Sequence, residues 1–292
     1  MNTNDRLIEA SADGQTEEVR SLLNSGAEPD ATYSGCAESM AILFANGAEY
    51  FKTCNTDRPL PGAALRAAAK NGHRSTVELL LEHVSWGKET LIMSLINSAE
   101  SGHVDTVSLI LGCGVDLSDG YYSSLNWAAR NGQTDAVEIL LKRGADIHAD
   151  SDSALQLAAG NGHLETVKFL VEKGADVNAI MYCGTTETPL LNAVFGRNKE
   201  IVELLIDEGA NINQTFPRQE SILDLAAQLG HTAIVKLLVE RGADLSESGI
   251  GVLYYAAAQK DMELVNLLIA RGVPAPEDLY EPTEPMTDCG LF

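Results

Sequence analysis

Glycine recurs at a fixed interval through the middle of this chain. Gly72, Gly102, Gly132 and Gly162 stand thirty residues apart, and each lies inside a similar run. Residues 125–145 read LNWAARNGQTDAVEILLKRGA, residues 155–175 LQLAAGNGHLETVKFLVEKGA, and residues 223–243 LDLAAQLGHTAIVKLLVERGA. Each run sets Leu, Ala-Ala, Gly, Val, an apolar pair and Gly-Ala at constant spacing. Self-similarity with a period of about 20–50 residues confines a chain to stacked supersecondary units, because one unit cannot bury its own apolar face.

The spacing within a run defines that unit. Leu155, Ala158 and Ala159 lie three or four apart, on one face of a short helix, and Val167, Leu170 and Val171 repeat the pattern on a second helix. Alanine at the first helix permits close approach of the two antiparallel helices. Each buried Leu or Val adds roughly 1.5–3 kcal/mol. Gly132, Gly162 and Gly230 fall between the two helices, where a tight turn favours positive φ, and Gly144, Gly174, Gly209, Gly242 and Gly272 follow the second helix.

In these residues the chain resembles the ankyrin-repeat family. That family's T-P-L-H-x-A-A element reads here Thr188-Pro189-Leu190-Leu191-Asn192-Ala193-Val194, with weaker copies at Ser221–Ala227 and Ser153–Ala159. Its G-H-x-x-x-V-x-x-L-L element stands at Gly162, His163, Val167 and Leu170, and at Gly230, His231, Val235 and Leu238. Anchored on the Val, nine units follow, at Val19, Met40, Val77, Val107, Val137, Val167, Val202, Val235 and Val265. The resemblance implies an all-α solenoid, a stack of antiparallel helix pairs over residues 1–273. β-Hairpin fingers would join the units.

Departures from the family pattern carry local expectations. Gly114 to Leu125, Gly144 to Leu155 and Gly242 to Leu253 are eleven residues apart, so these fingers shrink to plain turns. Gly209 to Leu223 spans fourteen and Gly174 to Leu190 sixteen, so hairpins are expected only around residues 213–220 and 179–188. Residues 28–62 form an irregular second unit and a long connection, with a break in the array expected there. Arg197 and Asp261 stand near turns where other units have Gly, and those turns should take a different geometry. Residues 274–292 are acidic and Pro-rich and lack helical periodicity, so they read as a disordered tail, or as one whose Leu279, Tyr280 and Phe292 fold back onto the last helix or into the groove.

Charge narrows the class of partner. Against 20 Lys and Arg stand 42 Asp and Glu, a net charge of −22 that repels nucleic acid and anionic lipid and favours a basic protein surface. No apolar run is long enough for a membrane span, and the opening MNTNDRLIEA lacks the pattern of a signal peptide. Cys36, Cys54, Cys113, Cys183 and Cys289 are odd in number, widely spaced and free of C-x-x-C, which suits free thiols in the cytoplasm or nucleus.

No metal, cofactor or catalytic motif is evident. His73, His103, His163 and His231 share one register just after the turn glycine, a structural position. The resemblance implies protein binding on the concave face, as in scaffolds, inhibitors and adaptors. There the two residues before each turn, and a stripe three or four earlier, face the partner. In the middle of the array these positions hold Asn97, Glu100, Trp127, Arg130, Asn131, Asn161, Asn192 and Phe195, with Tyr121 and Tyr122 at the edge. Asn97, Trp127 and Asn192 replace the family's usual Leu. The amides of Asn97 and Asn192 either bond local backbone or receive a ligand. The leading reading is a non-catalytic protein-interaction module with no cofactor. The alternative is a small-molecule site or unusual enzyme in the groove around Trp127 and Arg130, with Glu100, Tyr122 and Arg130 as the acid–base set.

Overall fold

A computed structural model describes residues 3–27, 62–117, 123–182, 186–216 and 220–277 of the protein. It divides into two compact units, residues 1–176 and 177–292. In the first lie α1 (Thr3–Ala12), α2 (Thr16–Asn24), α3 (Ala63–Lys70), α4 (Arg74–His83), α5 (Lys88–Glu100), α6 (Val104–Leu111), α7 (Ser124–Arg130), α8 (Thr134–Lys142), α9 (Ala149–Asn161) and α10 (Leu164–Glu172). The second holds strands β1 (Met181–Tyr182) and β2 (Thr186–Glu187), then α11 (Pro189–Phe195), α12 (Lys199–Asp207), α13 (Ile222–Gln228), α14 (Thr232–Glu240), α15 (Gly249–Ala258) and α16 (Met262–Ala270).

Helix pairs are the building block, and each repeats one core. In the first unit Leu65, Leu155, Val77, Val107, Val137 and Val167 are wholly buried, as are Leu80, Ile110, Leu140 and Leu170. The second unit buries Leu253, Val202, Val235, Val265, Leu205, Leu238 and Leu268 to the same degree. First helices stack on first helices (α1, α3, α5, α7, α9; then α11, α13, α15), and second helices follow suit. Ala68, Ala99, Ala128, Ala129, Ala158 and Ala159 have no exposed surface, which places the small side chains where the two helices of a pair meet.

The described residues alter the expected order at one point. α1 packs directly on α3, and α2 on α4. Asn71 Nδ2 donates to Ala12 O at 3.0 Å, and Thr16 and Thr76 hydroxyls pair at 3.1 Å. The pair anchored by Val19 and the pair anchored by Val77 are therefore stacking neighbours, with no layer between them. The unit assigned to Met40, the connection at 28–62 up to residue 61, and the tail from residue 278 lie outside the described residues.

Hairpins occur where spacing placed them. β1 and β2 pair antiparallel, Met181 opposite Glu187 and Tyr182 opposite Thr186, and a lone bridge joins Thr215 to Ser221. The shortened connections after Gly144 and Gly242 are turns, and the one after Gly114 lies partly outside the described residues. The start of α9 is a left-handed turn, with φ of 51°, 59° and 55° at Asp150, Ser151 and Asp152.

The turns at Arg197 and Asp261 correct the expectation. Arg197 and Lys260 both have φ of 58°, the same left-handed conformation as Gly132 at 71° and Gly230 at 75°. The glycine register falls on Lys260, and Asp261 caps α16 by accepting from Leu264 N at 3.1 Å. Geometry is conserved against the residue because neighbouring turns must nest. A non-glycine residue pays roughly 1–2 kcal/mol for it.

Candidate functional site

Six of the ten candidate residues gather on three neighbouring first helices of the first unit: Asn97 and Glu100 on α5, Trp127, Arg130 and Asn131 at the end of α7, and Asn161 at the end of α9. Helix α7 is only seven residues long, and its start is fixed by Ser123, whose Oγ accepts from Asn126 N at 3.3 Å. The i, i+3 spacing sets the Arg130 guanidinium over the Trp127 ring, 5.2 Å from its centroid. Trp127 is half-buried and Arg130 exposed.

The backbone beneath that stack is pinned. Asn131 Nδ2 donates to Trp127 O at 2.9 Å, and His163 Nε2 meets Arg130 O at 2.8 Å. Trp127 and Arg130 thus sit on a helix end tied to the next pair. Asn161 likewise closes its own helix, donating to Leu157 O at 2.8 Å. Asn97 Nδ2 reaches Arg66 O of the preceding pair at 3.5 Å, a long contact. Asn131 and Asn161 each commit an amide N–H to a backbone carbonyl of their own helix. Glu100 is half-buried.

Asn192 and Phe195 lie on α11, in the second unit. Thr188 caps this helix, accepting from Leu191 N at 3.2 Å, and Pro189 occupies the first turn. Phe195 is 50% exposed and Leu229, at the end of the neighbouring α13, 44%. Leu229 was not among the candidates. Its place just before a turn was the available signal, but a leucine reads as core. Tyr121 and Tyr122 lie outside the described residues.

His73 and His163 keep the structural role the register implied. His73 Nε2 lies 2.6 Å from Ala12 O, as His163 does from Arg130 O, so each staples its turn to the pair before it. The ring lies against the preceding turn glycine: a Cβ on Gly14, Gly72 or Gly132 would come within 2.4–2.6 Å of the imidazole of His73, His103 or His163.

Two clefts of the first unit are lined by none of the described candidates. One, of about 20 Å3, lies between Leu95, Leu117, Ser124 and Ala149. The other, an open cleft of about 670 Å3, is lined by Arg74, His103, Asp105, Asp135, Glu138 and Lys142. Among the described residues no group of three His, Cys, Asp or Glu side chains could hold a metal ion, and no helix is long and apolar enough to cross a membrane.

Nested turns, stacked helix pairs and an exposed aromatic–arginine face define a repeat protein built to present a surface. Successive overlapping windows spanning residues 65–277 match the family described as ankyrin repeats (3 copies). The chain belongs to the ankyrin-repeat family. It is 30% identical over 95 residues to the Ankyrin repeat and KH domain-containing protein mask-1 of Caenorhabditis elegans, covering 31% of this chain and 4% of that one. It is 34% identical over 93 residues to the Nuclear factor NF-kappa-B p105 subunit of Gallus gallus (30% and 10%). It is 42% identical over 57 residues to Inversin of Danio rerio (20% and 6%). The chain thus spans a tenth or less of these relatives. The crystal structure of the human ASB11 ankyrin repeat domain is similar in fold, with a TM-score of 0.63 at 23% identity over 82% of this chain and 98% of that one.

Proposed function

We propose that the chain is a non-catalytic interaction module that holds a protein partner against the face built by its first helices, the concave face in its family. The observation that carries this reading is the Trp127–Arg130 stack, with its backbone tied to the next pair and Arg130 exposed. Tryptophan and arginine held rigid before binding are the residue types that dominate interface energies. Phe195 and Leu229, apolar and half exposed at the ends of neighbouring first helices, support the same reading in the second unit. The charge of −22 favours a partner with a basic surface, by steering more than by affinity. A scaffold or adaptor in the cytoplasm or nucleus fits these features.

Affinity capture tests this, using the intact chain, a Trp127→Ala/Arg130→Ala variant and a Phe195→Ala/Leu229→Ala variant as baits, read for proteins and small molecules. The first variant should lose the partner, with affinity reduced at least 30-fold, about 2 kcal/mol. Equal recovery by all three baits contradicts the reading. A metabolite held by the intact chain alone would instead favour the small-molecule site around Trp127 and Arg130.

A further inference from the structure

One histidine of the repeated register has lost its seat. His231 is 8% exposed, yet neither ring nitrogen has a hydrogen-bond partner. Leaving a buried imidazole unpaired is costly. His73 and His163, at the same register in the first unit, each bond a carbonyl of the preceding pair, with the ring laid over a glycine. Before His231 the corresponding turn residue is Arg197, in the same left-handed conformation. Its Cβ stands where the glycine turns leave room for the ring, since a Cβ on Gly132 would lie 2.5 Å from His163 Nδ1.

We infer that Arg197 displaces the histidine that would staple α13–α14 to α11–α12, making this joint sensitive to protonation. The charged groups on the flanking turns are Arg197, Lys199 and Glu200 on one side and Lys260, Asp261 and Glu263 on the other. Asp261 and Glu263 are both engaged by Lys236, at 3.0 and 2.6 Å. Arg197 is the charged neighbour that acts on the ring. Burial first, and then the Arg197 guanidinium, hold His231 below the ordinary histidine value. The unfolded chain therefore binds a proton that the folded chain resists. Stability is full above about pH 6.5 and falls as the pH drops below it.

Arg197→Gly in the full chain is the test, with Lys260→Gly as the control for turn strain alone and His231→Gln to assign the resonance. Gln is tolerated at this register, where Gln133 already stands. Thermal unfolding from pH 5 to 8 and the imidazole nitrogen resonances are measured. Arg197→Gly should raise the midpoint by about 2–4 °C at neutral pH. It should also move the His231 titration up towards the ordinary value and flatten the loss of midpoint below pH 6.5. Lys260→Gly should raise the midpoint without touching the acid limb. If Arg197→Gly leaves the His231 titration where it was, whether or not the midpoint rises, the inference fails.

Discussion

At the turn between helices, one carbon atom decides what can follow. Gly132 needs its residue type twice, for a φ of 71° and because a Cβ would meet the His163 ring. Gly132→Ala should cost about 2 kcal/mol in urea unfolding and weaken the bond from His163 to Arg130 O. Hydroxyls make a second test. Thr134 pairs with Thr166 at 2.8 Å, one pair to the next. The partner register for Thr106 holds Arg74, and the buried Thr106 Oγ1 has no partner. Thr166→Val should therefore cost about 1 kcal/mol, and Thr106→Val should cost nothing or stabilise. The glycine register was plain in the sequence. The reuse of its left-handed geometry by Arg197 and Lys260 was not, because propensity alone favours a new turn over a strained one. Only the neighbours that nest against the turn settle it.

At the scale of an element, short helices depend on their ends. Helix α13, seven residues long, is opened by Ser221 and closed into a capping box by Asp224, which accepts from Ser221 N at 3.0 Å. Ser248 Oγ reaches across from the next pair to the same carboxylate at 2.6 Å. Burial pushes the Asp224 carboxyl up, but the hydrogen bonds from Ser248 and Ser221 outweigh it and leave it below the usual range. With its folded value depressed, Asp224 contributes stability above about pH 4 that is lost as the pH falls through that value. Asp224→Ala should cost about 1 kcal/mol at pH 7 and blunt the acid limb below about pH 4 in denaturation curves. Spacing along the chain placed the fingers correctly, because a hairpin needs residues to build it. The left-handed turn at Asp150–Asp152 was illegible. It is held from afar, by Asp176 N donating to Asp152 Oδ1 at 2.9 Å and Gln156 donating to Ser151 O.

Across each unit, stability comes from neighbours, so the order of the pairs matters more than their order in the chain. Because α1–α2 stacks directly on α3–α4, residues 28–61 are not required as a layer. A chain with that segment replaced by a connection as long as Gly242 to Leu253 should keep its helical circular dichroism and its unfolding midpoint within a few degrees. Loss of the first pair would contradict this. The stack was legible because its core repeats one pattern, Leu125 and Leu155, Val137 and Val167. The proposed contact face was legible only in part. Trp127 stood out against an expected leucine, whereas Leu229 was hidden by being one. The account rests on a partner meeting the first-helix face, and hydroxyl-radical footprinting of the chain with and without its captured partner tests that directly. Trp127, Phe195 and Leu229 should be shielded while the exposed Met262 and Ile269 stay reactive. Unchanged oxidation of the first three, with shielding of the other two, would contradict it.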